Sequence, residues 1–181
     1  MKGIVFTELL DMVDELFGEE VTEKIISDSE LSSGGAYTAV STYEHAELVR
    51  LVASLSRESG LSPEELYKAY GKHLFGVFSR DYGFLLTDMS ETFSFLSNIE
   101  DYIHVEVRKL YPDAELPTFS HSLIDDTHLE LEYRSHRAMG DFAEGLMMGC
   151  AEYFGDNIVI LRRDLSNGDG TCIQFTLEKV L

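Results

Sequence analysis

His128-Leu129-Glu130-Leu131-Glu132-Tyr133-Arg134-Ser135-His136-Arg137 alternates strictly, and that period decides the fold. In an extended strand Leu129, Leu131, Tyr133, Ser135 and Arg137 share one face, while His128, Glu130, Glu132, Arg134 and His136 share the other. The second face is charged or polar throughout, so the first is the buried one. Upstream of Pro117 the apolar period is helical; from Thr118 onward it is two. The chain reads as α+β: a helical N-terminal lobe (about residues 1–60) followed by an α+β lobe (about 61–181) with a four-stranded antiparallel sheet.

Working outward, Val5, Leu9, Met12, Val13 and Leu16 recur at helical spacing from Gly3 to Leu16, with Gly18 as the stop. A short helix follows over Val21 to Ile26, then a Ser- and Gly-rich loop from Ser27 to Thr42. Ser41 or Thr42 caps a helix through Leu55. Ser62-Pro63-Glu64-Glu65 opens the next, which runs to about Phe78. Gly71 inside that helix costs about 1 kcal/mol relative to alanine, a cost that close packing or a hinge would explain. One or two brief helices are expected between Phe84 and Phe95, and one from Ser97 or Asn98 to Leu110 or Tyr111. Strands at Thr118 to Leu123 and Leu129 to Arg137 flank an Asp125-Asp126-Thr127 turn. A helix from Ala138 to Phe154 puts Phe142, Leu146, Cys150 and Phe154 on one side, and Asn157 to Leu165 with Thr171 to Val180 form the last hairpin.

A chain of 181 residues builds a sizeable core without disulfides or structural metals. With 14 basic and 33 acidic side chains the formal charge is 14 − 33 = −19, which disfavours nucleic acid and anionic membrane surfaces as partners. The opening residues meet acids by the second turn and no apolar run is long enough to span a bilayer, so the expected compartment is the cytoplasm. Cys150 and Cys172 lack Cys-x-x-Cys spacing and read as packed free thiols. There is no His-Glu-x-x-His, Gly-x-Ser-x-Gly or phosphate loop, which removes the hydrolase and nucleotide readings at motif level. His121, His128 and His136 are spaced as on a strand surface, and Glu19-Glu20 and Glu64-Glu65 as solvated helix starts.

Two features point to chemistry. On an ideal helix His104 stands roughly 100° from the centre of the stripe formed by Leu96, Ile99, Ile103, Val107 and Leu110. That position suits a half-buried histidine satisfied by a neighbour. Histidine is nonetheless the side chain suited to ligating iron or zinc from one side through a neutral imidazole. On the strand, Tyr133, Ser135 and Arg137 place a phenol, a hydroxyl and a guanidinium along roughly 13 Å of buried face. A buried arginine without an anion is costly. Either an internal Asp or Glu meets it, or a ligand does whose carboxylates accept from all three residues. A planar dicarboxylate macrocycle with an axial histidine, heme, joins the two features.

The run Ile103-His104-Val105-Glu106-Val107-Arg108-Lys109-Leu110-Tyr111-Pro112, then Pro117, then Tyr133-x-Ser135-x-Arg137 resembles the heme nitric oxide/oxygen binding (H-NOX) domain, the bacterial relative of the soluble guanylate cyclase sensor domain. The resemblance covers essentially the whole chain from Met1-Lys2-Gly3 onward. It implies heme b (iron protoporphyrin IX) buried between the lobes, with His104 as the iron ligand. By the same resemblance Tyr133, Ser135 and Arg137 hold the propionates and Pro117 presses on the porphyrin. Family members that hold oxygen carry a distal tyrosine; the matching position is Phe142. The other expected distal-wall residues, Val5, Leu9, Leu74, Phe78 and Leu146, offer no donor either, although His73 or Tyr70 would supply one if aimed inward.

The expectation is a non-enzymatic sensor that binds nitric oxide and carbon monoxide, excludes oxygen, and regulates a sensor histidine kinase or a cyclic-di-GMP enzyme in trans. Its acidic surface suits a basic partner patch. Loss of the His104 bond and relief of strain against Pro117 would turn one lobe on the other, about Gly71 or Gly145; His104→Gly would mimic that state. Two other classes compete: a heme enzyme of peroxidase or oxygenase type, which needs distal acid–base groups, and a cofactor-free interaction module, in which Arg137 pairs with an internal carboxylate.

Overall fold

The computed structural model describes residues 1–180; Leu181 lies outside the described residues. By contacts the chain divides into two compact units, Met1–Tyr70 and Gly71–Leu181, a boundary later than the one near residue 60 expected from sequence.

The first unit is helical. Helix α1 (Ile4–Phe17) buries Phe6, Leu9, Met12 and Val13 and stops at Gly18, whose φ of 89° is a left-handed conformation that glycine adopts without strain. Leu16, expected on the buried stripe, is exposed. Helix α2 (Glu19–Ser27) follows at once. Helix α3 (His45–Ser59) starts two to three residues later than Ser41 or Thr42 would place it, with Glu44 as an N-cap that makes no side-chain cap bond. The reason lies just upstream: residues 39–43 are used in pairing with the N-terminus. Gly3 N–H donates to Ser41 O (2.8 Å), Ile4 N–H to Ala39 O (3.0 Å) and Tyr43 N–H to Met1 O (2.9 Å). A Cβ on Gly3 would stand 1.8 Å from the Thr38 carbonyl oxygen, so only glycine fits there.

Helix α4 (Pro63–Asp81) opens with the expected reciprocal cap. Glu65 N–H donates to Ser62 Oγ (3.2 Å) while Ser62 N–H donates to Glu65 Oε2 (2.8 Å). Its first eight residues belong to the first unit, where the Tyr70 hydroxyl donates to the Val5 carbonyl.

The second unit begins at Gly71. Here α4 runs against α7 (Gly140–Phe154) so closely that a Cβ on Gly71 would lie 2.3 Å from Phe142 O and 2.9 Å from Gly145 Cα. Close packing thus accounts for a glycine inside a helix. A 3-10 turn (Gly83–Leu86) and α5 (Thr92–Ser97) fill the aromatic stretch, followed by a π turn (Ile99–Ile103), α6 (His104–Leu110) and β1 (Thr118–Asp125). Strand β2 (His128–Arg134), α7, β3 (Ile158–Asp164) and β4 (Cys172–Lys179) complete a sheet of order β1-β2-β4-β3, antiparallel throughout. The alternation in β2 is realised, with Leu129, Leu131 and Tyr133 buried opposite Leu177, Phe175 and Ile173. They share a core with Phe93, Leu96 and Ile99, and with Ala143, Met147 and Cys150 of α7. The inward stripe of α7 therefore runs through Ala143 and Met147. Phe142 and Leu146, expected inward, lie half-buried on its flank beside Gly71.

Candidate functional site

The π turn settles where His104 points. Its backbone bonds span five residues, from Ile103 N–H to Asn98 O (3.1 Å) and from His104 N–H to Ile99 O. One extra residue per turn carries His104 into the position that an uninterrupted helix would give Ile103, and such turns recur at functional sites. His104 is buried, 8% exposed, while Leu110, counted on the ideal stripe, is exposed. The helical wheel that placed His104 at the border of the core assumed a period the backbone does not keep.

His104 Nδ1 lies 3.0 Å from Glu100 Oε1. The same oxygen accepts the backbone N–H of Phe119 at 2.7 Å, at the start of β1. Burial lowers the His104 pKa more strongly than the Glu100 carboxylate, through charge and hydrogen bond, raises it; Arg108 adds to the lowering. The ring is then neutral near pH 7. Because a carboxylate only accepts, the hydrogen bond assigns the ring proton to Nδ1 and leaves Nε2 with its lone pair, the form that binds metals. Nε2 has no hydrogen-bond partner among the described residues.

The Phe119 ring connects this histidine to the second feature, its centroid 6.0 Å from that of His104 and 5.6 Å from that of Tyr133. Strand β2 ends at Arg134, so Ser135 and Arg137 do not continue its face as the period of two implied. They occupy a turn, in which Arg137 N–H donates to Ser135 Oγ (3.2 Å) and Ala138 N–H to Ser135 O (3.3 Å). Arg137 is nonetheless buried, its side chain 8% exposed. Glu115 meets it twice, through its carbonyl at 2.9 Å from Nη1 and through its carboxylate at Nη2. Arg137 Nε stays buried without a partner among the described residues. The Tyr133 oxygen accepts Met139 N–H at 3.1 Å and Ser135 Oγ accepts Arg137 N–H, but among the described residues neither hydroxyl proton has an acceptor. Arg137 Nε is thus buried and unpaired among the described residues, at a cost of about 1–3 kcal/mol while unmet, and the Tyr133 and half-buried Ser135 hydroxyls beside it in sequence still have a proton to give. Two carboxylates would supply the missing acceptors, so the residues present fit a dicarboxylate macrocycle held from one side by an imidazole.

Pro117 is half-buried between Glu115 and β1. In the second unit Leu74 is buried and Phe78 half-buried, its ring 5.9 Å from that of Tyr82. In the first unit Leu9 is buried and Val5 half-buried. Among the described residues no group of three or more His, Cys, Asp or Glu side chains could hold a metal ion, and no helix is long and apolar enough to cross a membrane. Cys150 and Cys172 are free and buried, and burial pushes the Cys150 thiol well up. Sequence reasoning missed Glu100, Glu115 and Phe119. For Glu100 a signal existed, since i and i+4 are neighbours on a helix; Phe119 is followed at its own parity by His121, and Glu115 sits in an irregular loop.

A family model described as haem-NO-binding matches residues 2–162. The Fe(II) unliganded H-NOX protein from K. algicida is 41% identical and aligns over 100% of this chain and 97% of its own, with a TM-score of 0.94. An H-NOX protein from S. oneidensis in the Fe(II)NO state is 26% identical over 100% of both chains, with a TM-score of 0.92. The soluble guanylate cyclase gcy-35 of Caenorhabditis elegans is 25% identical over 167 residues, which are 90% of this chain but only 24% of that protein's length. On this match of sequence and fold, the chain belongs to the H-NOX family of heme-binding gas-sensor domains.

Proposed function

We propose that this chain is a nitric oxide sensor that carries heme b, with His104 as its protein ligand and Tyr133, Ser135 and Arg137 on the propionates. The observation that carries this reading is the buried, unpaired Arg137 Nε together with the Tyr133 and Ser135 hydroxyl protons, with Tyr133 one aromatic ring, Phe119, away from a neutral histidine whose Nε2 is free to ligate. Ferrous heme would supply an open coordination position for nitric oxide or carbon monoxide. A lone imidazole suffices there because the porphyrin brings the remaining ligands. The Glu115 contact is what a cofactor-free module would show, but such a module leaves Arg137 Nε unexplained.

Selectivity rests on side chains that withhold a hydrogen bond. Bound oxygen draws negative charge and needs a donor, whereas nitric oxide does not. Phe142 has none, and Tyr70 gives its proton to the Val5 carbonyl within the first unit. Leu74, Phe78 and Leu146 add apolar side chains on the second unit, and none of the three is an acid–base group of the kind a peroxidase or oxygenase needs. His104 is the residue whose attachment distinguishes the two signalling states: held, it fixes the π turn and α6; released, it frees them. A sensor of this kind, without catalysis of its own, acts on a second protein in the cytoplasm, and a charge of −19 suits a basic face on a histidine kinase or cyclic-di-GMP enzyme.

Absorption spectra of the reduced protein test the proposal. A Soret band that shifts with nitric oxide and with carbon monoxide but not with air is expected. A colourless protein would overturn the heme reading, and a stable oxygen spectrum would overturn the selectivity.

A further inference from the structure

Glu100 touches both the ring of His104 and the backbone of the sheet. A single oxygen, Oε1, accepts His104 Nδ1–H at 3.0 Å and Phe119 N–H at 2.7 Å. The π turn makes this arrangement, since it swings Glu100 and His104 together toward the first residues of β1. A carboxylate on the far nitrogen of a ligating imidazole fixes its tautomer and ring orientation and makes the ligating nitrogen more basic. A charge-assisted hydrogen bond does this more strongly than a neutral one. The shared oxygen adds a mechanical link, because His104 cannot move away without altering the bond that holds the Phe119 amide, two residues beyond Pro117.

From this geometry, and resting on the reading of His104 as the iron ligand, we propose that Glu100 is a positioning residue that strengthens the iron–His104 bond and couples that bond to the start of β1. The chain thereby sets its own threshold for histidine release through one carboxylate. The link also gives the release a direction, toward the Pro117 segment, by way of the Phe119 amide.

The experiment compares the heme-loaded wild type with Glu100→Gln and Glu100→Leu. Resonance Raman spectra of the reduced proteins read the iron–histidine stretch, and transfer of heme to an excess of an apo-globin reads retention. Glutamine keeps the acceptor but loses the charge; the stretch should move to lower frequency, with heme loss faster by roughly tenfold, the low end of the effect of removing a partner behind a metal ligand. Hydrogen exchange of the Phe119 amide should remain slow in Glu100→Gln and become fast in Glu100→Leu. In the wild type, nitric oxide should also speed it. A stretch unchanged in Glu100→Gln would overturn the claim on bond strength, and a Phe119 amide indifferent to nitric oxide would overturn the coupling. If Glu100→Leu does not fold, the glutamine variant and the wild-type exchange still decide both. Failure of the underlying reading is separate: it would show as a wild type without any iron–histidine band.

Discussion

Glu47 in the first unit and Arg137 in the second are both buried charges, and the chain treats them in opposite ways. Glu47, 2% exposed on α3, accepts from Ser32 Oγ, from Ser33 Oγ and N–H, and from the Tyr37 hydroxyl at 2.7 Å. Burial alone would raise its pKa, but these hydrogen bonds outweigh it and hold the carboxyl at about 2. Among the described residues the Arg137 guanidinium meets only Glu115 and keeps Nε unpaired. A guanidinium, unlike a hydroxyl, cannot rotate a proton toward another acceptor. The first charge is complete in itself and organises a loop; the second keeps one buried nitrogen without a partner among the described residues. A buried charge that its own fold leaves half-satisfied calls for an explanation that a fully paired one does not.

The sharpest way to break this contrast is to remove each charge and measure both proteins. Glu47→Leu leaves the Ser32, Ser33 and Tyr37 donors without an acceptor, and should cost about 2–3 kcal/mol in urea unfolding. A loss near zero would mean that the loop is not held as the hydrogen bonds imply. Acid should do the same by titration. With a folded pKa of about 2, below that of a carboxyl in the unfolded chain, Glu47 contributes stability that is complete at neutral pH. That contribution is lost as pH falls from the ordinary carboxylate range through about 2, and Glu47→Leu should flatten this part of the pH–stability curve.

Arg137→Met should act in reverse. In the heme-free protein it removes an incompletely paired buried charge and replaces it with apolar volume, so unfolding should shift by less than about 1 kcal/mol in either direction. In the loaded protein it should speed heme loss by about 10- to 100-fold, the equivalent of one charge-assisted hydrogen bond. If the heme-free protein collapsed instead, the Glu115 contact would be the whole purpose of Arg137.

The parts of the molecule legible in the sequence are those where burial follows a fixed period. The β2 alternation and the Ser62–Glu65 cap stood in the residues because each follows from local geometry. The π turn did not, since a helical wheel assumes 3.6 residues per turn and nothing in Ile99-Glu100-Asp101-Tyr102-Ile103 announces an extra one. His104 was thus selected by its chemistry while its direction was misjudged. The row Tyr133, Ser135, Arg137 was found by extending a strand that stops at Arg134. The turn that follows keeps the Arg137 side chain buried by other means. Glu115 was hidden by abundance, and Glu100, although four residues before His104, was one of 33 acidic side chains until the fold showed its contacts.

The smallest structural change probes the other end of the same contrast. Arg137 presents more donors than the chain can satisfy, whereas Phe142 presents none, and on the proposed function that lack is what excludes oxygen. Phe142→Tyr adds one hydroxyl to a half-buried ring on the flank of α7. Its effect on unfolding should stay within about 1 kcal/mol. Its effect on ligand choice should be qualitative, with a reduced protein that forms a persistent oxygen complex in air while still binding nitric oxide. Persistence measures the new hydrogen bond directly, because the ring volume barely changes and the hydroxyl is the only group added. Should oxygen remain excluded, Phe142 would be turned away from the ligand, toward Gly71, where its backbone already lies. Selectivity would then come from the tight apolar packing of α4 against α7 and not from a missing donor.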